Sequence, residues 1–384
     1  MKMSQEYSHK NLLLTSPSRA FGCVQRYIQG PGEIGHVFEY GRKYGDKFLF
    51  IIDSGVFDMI KDKIEAIEDK QGCSWMYESY FGECCRENVE ALTAIVRQSG
   101  CNVVCGVGGG KVLDTVKLVA DEADVARIIL PTSASSDAPA ADWAAVYDIN
   151  GVHLGGVPTR RSTELVLVDS AIIASAPARL FAAGIADALV TWFEAVANEK
   201  AGTPNWIGRG YVISRAGMAI ARECFEVLVK EGKRAYEAVK VKALTPAVED
   251  VIEANVLLSG LGFMNAGCAG AHGVHNGISE IEAGNAYLHG EKVAFGLVCE
   301  LVLENADDEL INRMLELMDS IGLPITMEQF GIACTDENLD IIVEHTVFKN
   351  ALIHREPVVI TPEVVKNAII AANNIGRNYL KNKK

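Results

Sequence analysis

Residues 101–117 read CNVVCGVGGGKVLDTVK, an apolar run that ends in three consecutive glycines and continues as an amphipathic stretch. Its first part has the composition of a buried strand, and Val112, Val116, Val119 and Ala120 recur on one stripe of a helix that starts at Lys111. A strand that delivers the chain through glycine to a helix N-terminus presents backbone N–H groups at the positive end of the helix dipole, with no Cβ atoms in the way. That arrangement suits a phosphate or pyrophosphate, so Gly108, Gly109, Gly110 and Lys111 are candidate cofactor contacts. Neither familiar motif fits as written. A P-loop needs Ser or Thr after the lysine to hold magnesium, and Val112 stands there. A Rossmann fingerprint needs GxGxxG in the first βαβ unit, whereas GVGGGK arrives after two strand–helix units.

Working outward, "KFLFIID" (47–53), "SWMYESYF" (74–81), "NVVCGVG" (102–108), "ARIILPTSA" (126–134) and "ELVLVDS" (164–170) read as strands. Helical spacing follows in "SGVFDMIKDKIEAIED", in "ENVEALTAIVRQSG" up to Gly100, and after Lys111. Strands alternating with helices predict a parallel sheet with helices on its faces. Beyond about residue 170 the strand signals stop, and Ala/Leu/Val/Glu-rich segments such as "ARLFAAGIADALVTWFEAVANEK" take over. The expected fold is therefore an α/β N-terminal parallel-sheet domain over 1–170 and an all-α domain over 171–384, with the site in the cleft between them. Asp53, at the C-terminal end of a strand, is placed to accept hydrogen bonds from an adenosine ribose and to repel a 2′-phosphate, which favours NAD over NADP.

A formal charge of −14 argues against nucleic-acid or anionic-membrane partners, which need a Lys/Arg excess. The ten cysteines are scattered and form no CxxC pair. The opening "MKMSQEYSHKNLLLTSPSR" lacks the apolar core of a secretory signal, and no run of about 18 uncharged apolar residues is present. These features predict a cytoplasmic protein with reduced thiols and no membrane partner.

Eight histidines are present, and three cluster in "GAHGVHNGISEIEAGNAYLHGEKVAFG": His272, His275 and His289. The first two are one helical turn apart. With a carboxylate they suit Zn²⁺, Fe²⁺ or another divalent ion, leaving a position open for substrate. Asp187 and Glu194, both in the otherwise apolar "GIADALVTWFEA", are the candidate carboxylates.

"GVGGGKVLDTVK", "LPTSASSDAPAADWAAVY", "GIADALVTWFEA" and "AHGVHNGIS…YLHGEKVAFG" together resemble the glycerol dehydrogenases of the metal-dependent, iron-containing alcohol dehydrogenase superfamily, from "SPSRAFG" to "ITPEVVKNAIIAAN". The resemblance implies a Rossmann-like sheet domain joined to a helical domain, a dehydroquinate synthase-like architecture. It implies Asp187, His272 and His289 as metal ligands, with His275 behind them, and Asp137 as the residue that contacts the polyol. Gly109, Gly110, Asp114, Thr132 and Tyr147 match NAD-contacting positions, and Asp53 the ribose-side acid. Ala141 and Trp143 fall near the nicotinamide, where the family tends to have serine and leucine, and Gly270 and Gly273 stand where alanine is common. The implied activity is NAD- and zinc-dependent oxidation of a vicinal diol, glycerol to dihydroxyacetone, by a homo-oligomer, commonly an octamer. The alternatives are a same-fold enzyme acting on a phosphorylated or cyclic substrate (a glycerol-1-phosphate dehydrogenase or a dehydroquinate synthase-like lyase) and a non-catalytic NAD-binding regulator. The phosphorylated substrate calls for an Arg/Lys cluster, and Lys292 is the only Lys or Arg between His272 and Cys299.

Overall fold

Six parallel strands make the sheet of the N-terminal half in a computed structural model that describes residues 18–208 and 210–383. The segment read above as lacking a secretory signal lies, through residue 17, outside the described residues. In chain order the first half runs β1 (Tyr27–Gly30), α1 (Val37–Gly41), β2 (Lys47–Asp53), α2 (Phe57–Glu65), β3 (Ser74–Tyr80), α3 (Arg86–Ser99), β4 (Val103–Gly108), α4 (Gly110–Ala123) and β5 (Ala126–Pro131). An antiparallel hairpin follows, β6 (Trp143–Tyr147) and β7 (His153–Pro158), and then β8 (Leu165–Asp169). The sheet order is β1-β8-β5-β4-β2-β3.

Alternation along β2 explains why both faces are covered. Phe48, Phe50 and Ile52 pack with Phe38, Ile60 and Ile64 on one side, while Leu49 and Ile51 join Val89, Val96, Val112 and Val116 on the other. From β2 the chain steps to β3 at one edge, then crosses back to β4 and continues the other way to β5. Right-handed crossovers in opposite directions put α2 and α4 on opposite faces, so the loops after β2 and β4 part and leave a crevice at their carboxyl ends. The glycine turn sits there.

After Asp169 every helix or strand among the described residues is helical. These are α5 (Ser170–Ser175), α6 (Ala178–Ala201), α7 (Arg215–Lys240), α8 (Pro246–Glu253), α9 (Ser259–Ala266), α10 (Gly270–Ser279), α11 (His289–Leu303), α12 (Asp308–Ser320), α13 (Asp336–Thr346) and α14 (Pro362–Asn382). A π-helical turn, Ala254–Leu258, joins α8 to α9. The ends are capped as their residue types dictate: Ser214, Thr245, Asp307 and Thr361 each accept a first-turn N–H. Helix α6 is long and apolar enough to cross a membrane, yet 78% of its most apolar window is buried inside the protein, where it forms the core of the helical half.

The sequence reading missed β1 and the hairpin. β1 is a four-residue edge strand, and β7 (HLGGVP) is mostly exposed, with no apolar alternation to signal it. Two buried cations anchor this detour. Lys117 of α4, fully buried, donates to Asp114 Oδ1 at 2.9 Å and to the carbonyls of Ala138 and Trp143. Arg127 of β5, also fully buried, pairs with Asp121 at 3.2 Å and Asp142 at 3.8 Å.

The two halves meet closely at Gly184 of α6, where a Cβ would stand 1.7 Å from the Ala134 carbonyl oxygen. Gly184→Ala forces backbone apart at that contact and is expected to destabilise the protein by about 1–3 kcal/mol. Thermal unfolding checks this, and an unchanged midpoint would show that the contact tolerates a methyl group.

Candidate functional site

At the crevice, Gly108 has φ +151, and a Cβ there would meet Val112 Cγ1 at 2.5 Å and Asp53 Cβ at 2.7 Å, so only glycine lets β4 lie this close to the end of β2. Gly109, the N-cap of α4, makes no side-chain cap, and a Cβ on it would meet no protein atom within 4 Å. Unanswered N–H groups at a helix start, facing open space, are what an anionic group would occupy. Gly110 faces the 132–140 loop, with Ser136 Oγ 3.6 Å from its would-be Cβ. Thr132 donates its N–H to the Gly108 carbonyl at 3.0 Å.

The other residues named from the sequence are placed as follows. Asp53 accepts the Gly55 N–H at 2.8 Å and borders the turn. Lys111 directs its ammonium to Glu83. Asp114 is buried, with one oxygen on Lys117 and the other on the Ala145 N–H at 2.9 Å, so both serve the scaffold. Tyr147 lies on β6 against His153, and burial, with Asp114 and Glu83 nearby, pushes its phenol up to about 12. Ala141 is buried beside the start of β6. Trp143 crosses the hairpin over Gly156 and packs against Trp206, ring centroids 5.1 Å apart.

Across the cleft, three helices bring three acceptor atoms together. Asp187 comes from α6, His272 from α10 and His289 from the first residue of α11. His289 Nε2 lies 3.1 Å from Asp187 Oδ1, His272 Nε2 lies 3.5 Å from it, and the two nitrogens are 3.3 Å apart. Hydrogen bonds behind the ring assign the tautomers. His272 Nδ1–H donates to Glu194 Oε2 at 2.8 Å, which leaves Nε2 with its lone pair. His275, on the next turn, donates Nδ1–H to Asn276 Oδ1 and accepts from His289 Nδ1 at 3.0 Å, which frees Nε2 of His289 as well. Asp187 Oδ1 is buried with no hydrogen-bond partner.

Three acceptors aimed at one point need a cation between them. Four-coordinate bonds of about 2.0–2.1 Å set neighbouring ligand atoms roughly 3.3 Å apart, the spacing found here. The donor set therefore fits a first-row divalent ion. Exposure rises from Asp187, at 1% of its side chain, through His272 at 13% to His289 at 43%, so the free side of the triad faces the cleft.

Where no ion is bound, a proton takes its place in the electrostatics of this centre. Burial alone would raise Asp187, but His289 and His272 outweigh it and hold the carboxyl well below its ordinary range. Burial works against charge on His272, yet Cys268, Glu194 and Asp187 raise it well above the usual imidazole value. The Cys268 thiol is itself pushed up to about 12 by burial, so the carboxylates hold the imidazolium. Burial and the neighbouring His289 and Lys292 push His275 well down, consistent with its accepting role. Asp137, whose N–H donates to Asp187 Oδ2 at 3.2 Å, is raised to about 7 by burial and by Asp187. Sequence reasoning offered Asp187 and Glu194 as rival carboxylates; the structure puts the first in the triad and the second behind His272. It passed over Lys117, whose signal is an i,i+3 Asp–Lys pair inside an apolar stripe.

The iron-containing alcohol dehydrogenase family matches residues 24–170. A glycerol dehydrogenase of Thermotoga maritima is 38% identical over 354 residues, 92% of this chain and 96% of its own. A glycolaldehyde reductase of Halobacterium salinarum is 36% identical over 358 residues, 93% of this chain and 98% of its own. The crystal structure of a probable glycerol dehydrogenase from Sinorhizobium meliloti superposes with a TM-score of 0.89 at 41% identity, covering 94% of this chain and 99% of that one.

The raised pKa of His272 has a testable sign. In the metal-free protein its stabilising charge is fully present below the ordinary imidazole pKa and is lost as pH rises through the raised value. A metal ion must displace that proton, so its binding strengthens with pH. The rise in unfolding temperature on adding zinc is expected to be larger at alkaline than at mildly acidic pH. Glu194→Gln is expected to weaken zinc binding about 10–100-fold, measured by competition with a chromogenic chelator.

Proposed function

The chain belongs to the iron-containing alcohol dehydrogenase family, and on that footing we propose that it oxidises a vicinal diol with NAD⁺, glycerol to dihydroxyacetone being the foremost case, in a reversible reaction that releases NADH and a proton. The observation that carries this reading is the convergence of Asp187 Oδ1 with two histidine nitrogens whose lone pairs are fixed toward it from behind. The relatives' substrates agree in kind, because glycerol is a vicinal diol and reduction of glycolaldehyde yields one.

Asp187, His272 and His289 would hold the ion, zinc being our assignment, with iron(II) as the alternative. The cofactor would lie at Gly108, Gly109 and Gly110, with Asp53 on its ribose side and Thr132 beneath it. A divalent ion there supplies Lewis acidity that lowers the pKa of a hydroxyl, and NAD⁺ supplies a hydride acceptor. Glu194 keeps the Nδ1 proton on His272, and neutral His275 accepts the Nδ1 proton of His289, so neither ring turns away. Asp137, tied through its N–H to Asp187, orients the polyol with its carboxyl. Trp143, packed against Trp206, is our candidate for the residue that limits the size of the carbon chain.

We assign residues 1–170 to the cofactor and residues 171–384 to metal and substrate. A phosphorylated substrate is disfavoured because nearby cations are already engaged: Lys292 donates to Ser279 Oγ at 2.7 Å and Arg355 to Asn198 at 2.6 Å. A cytoplasmic location is supported by ten free cysteines. The homo-octamer rests on the resemblance alone.

NADH formation across glycerol, ethylene glycol, propylene glycol and simple primary alcohols is the decisive assay. Turnover of the vicinal diols, abolished by chelation and restored by zinc, is expected; metal-loaded protein that oxidises none of them overturns the reading. Gly109→Ala places a methyl group in the open turn, so it is expected to weaken NAD⁺ binding while changing stability by less than about 0.5 kcal/mol. Calorimetric titration and thermal unfolding separate the two effects.

A further inference from the structure

The N-terminus of α10 gathers a second concentration of buried charge, next to the three-ligand centre. Its first three N–H groups each end on a different glutamate: Gly270 on Glu356 Oε1 at 2.7 Å, Ala271 on Glu300 Oε2 at 2.8 Å and His272 on Glu194 Oε1 at 3.0 Å. Gly270 allows this crowding, since a Cβ there would stand 2.5 Å from Glu356 Oε1. A helix N-terminus offers the equivalent of about half a positive charge, which cannot answer several carboxylates.

Glu194 spends its second oxygen on His272, but the others have no such outlet. Glu300 Oε1, Glu356 Oε2 and the adjacent Glu304 Oε1 are all buried and meet no donor. Glu300 is 1% exposed and Glu356 4%. One ligand oxygen from each of Glu300, Glu304 and Glu356 lies within 4.8 Å of the other two. Lys200, 3.1 Å from Glu304 Oε2, answers one charge, so three carboxylates against one ammonium leave two negative charges. Burial and mutual repulsion push Glu356 up to about 9 and Glu300 well above the carboxylate range.

We propose that Glu300, Glu304 and Glu356 bind a second cation, a calcium-class divalent ion that fastens the N-terminus of α10 to α11 and to the chain after Arg355. Carboxylate-only donors select hard cations over zinc. Calcium–oxygen bonds of about 2.3–2.6 Å let one ion span roughly 4.6–5.2 Å, so oxygens lying within 4.8 Å of one another can all reach it, and calcium tolerates irregular carboxylate geometry. One such ion balances the two residual charges. The site is separate from diol oxidation and would act by holding the helix that carries His272 and His275.

The experiment uses zinc-loaded protein, equilibrium dialysis against calcium and elemental analysis. One calcium per chain beyond the zinc is expected, with a raised unfolding temperature. Glu304→Gln, at the edge of the cluster and least disruptive to folding, should weaken calcium binding at least about tenfold, as should Glu300→Gln. No calcium beyond the zinc, or binding equal in wild type and Glu304→Gln, overturns the proposal. So does an infrared carboxylic-acid band that persists in saturating calcium and vanishes in Glu300→Gln, since protons would then neutralise the cluster.

Discussion

A carboxylate set in the middle of an apolar helix constrains everything around it. Asp187 is 2% exposed, flanked on α6 by Ile185, Ala186, Ala188 and Leu189, and one of its oxygens has no donor. Left alone, such a charge would be severely destabilising. The fold meets it from two directions: histidine nitrogens from α10 and α11 face one oxygen across the space a cation would fill, and the Asp137 N–H donates to the other. The second answer reaches into the sheet half, so the charge that organises the centre also fixes where the two halves meet.

Lys117 performs a comparable service on the cofactor side. Its buried ammonium ties α4 to the carbonyls of Ala138 and Trp143, bracketing the loop that presents Asp137 and Ala141. The glycine turn begins the same helix. The glycine turn and the Asp137 loop are thus positioned by one rigid element.

Much of this was legible in the sequence because it follows from periodicity and from residue types with few alternatives. Four of the six sheet strands, β2, β4, β5 and β8, are buried apolar runs, and the glycines and histidines cluster where backbone approach and ligand chemistry demand them. What escaped notice was tertiary. The hairpin strand β7 has no apolar pattern, because it is held by pairing with β6, whose start Lys117 and Arg127 tie down from elsewhere. Glu194 could not be told from Asp187 on spacing, since both lie on α6 and only the packing of α10 decides which faces the ring's inner nitrogen. The glutamates around α10 come from separate parts of the chain and converge only once it is folded.

The Ala134 carbonyl is gripped from two sides, by the close approach of Gly184 and by the Asn255 side-chain amide at 3.0 Å from the π-helical turn. A point held this way behaves as a fulcrum. A rotation about it would leave the contact intact, whereas sliding would drive backbone into backbone at Gly184. Asp137 lies three residues from the pivot and Asp187 three residues from Gly184, so both sit on very short lever arms. A rotation that moves the outer rim of the cleft by several ångströms displaces these two carboxyl groups far less. Such a hinge would let the mouth widen while the spacing of Asp137 and Asp187 is kept nearly constant.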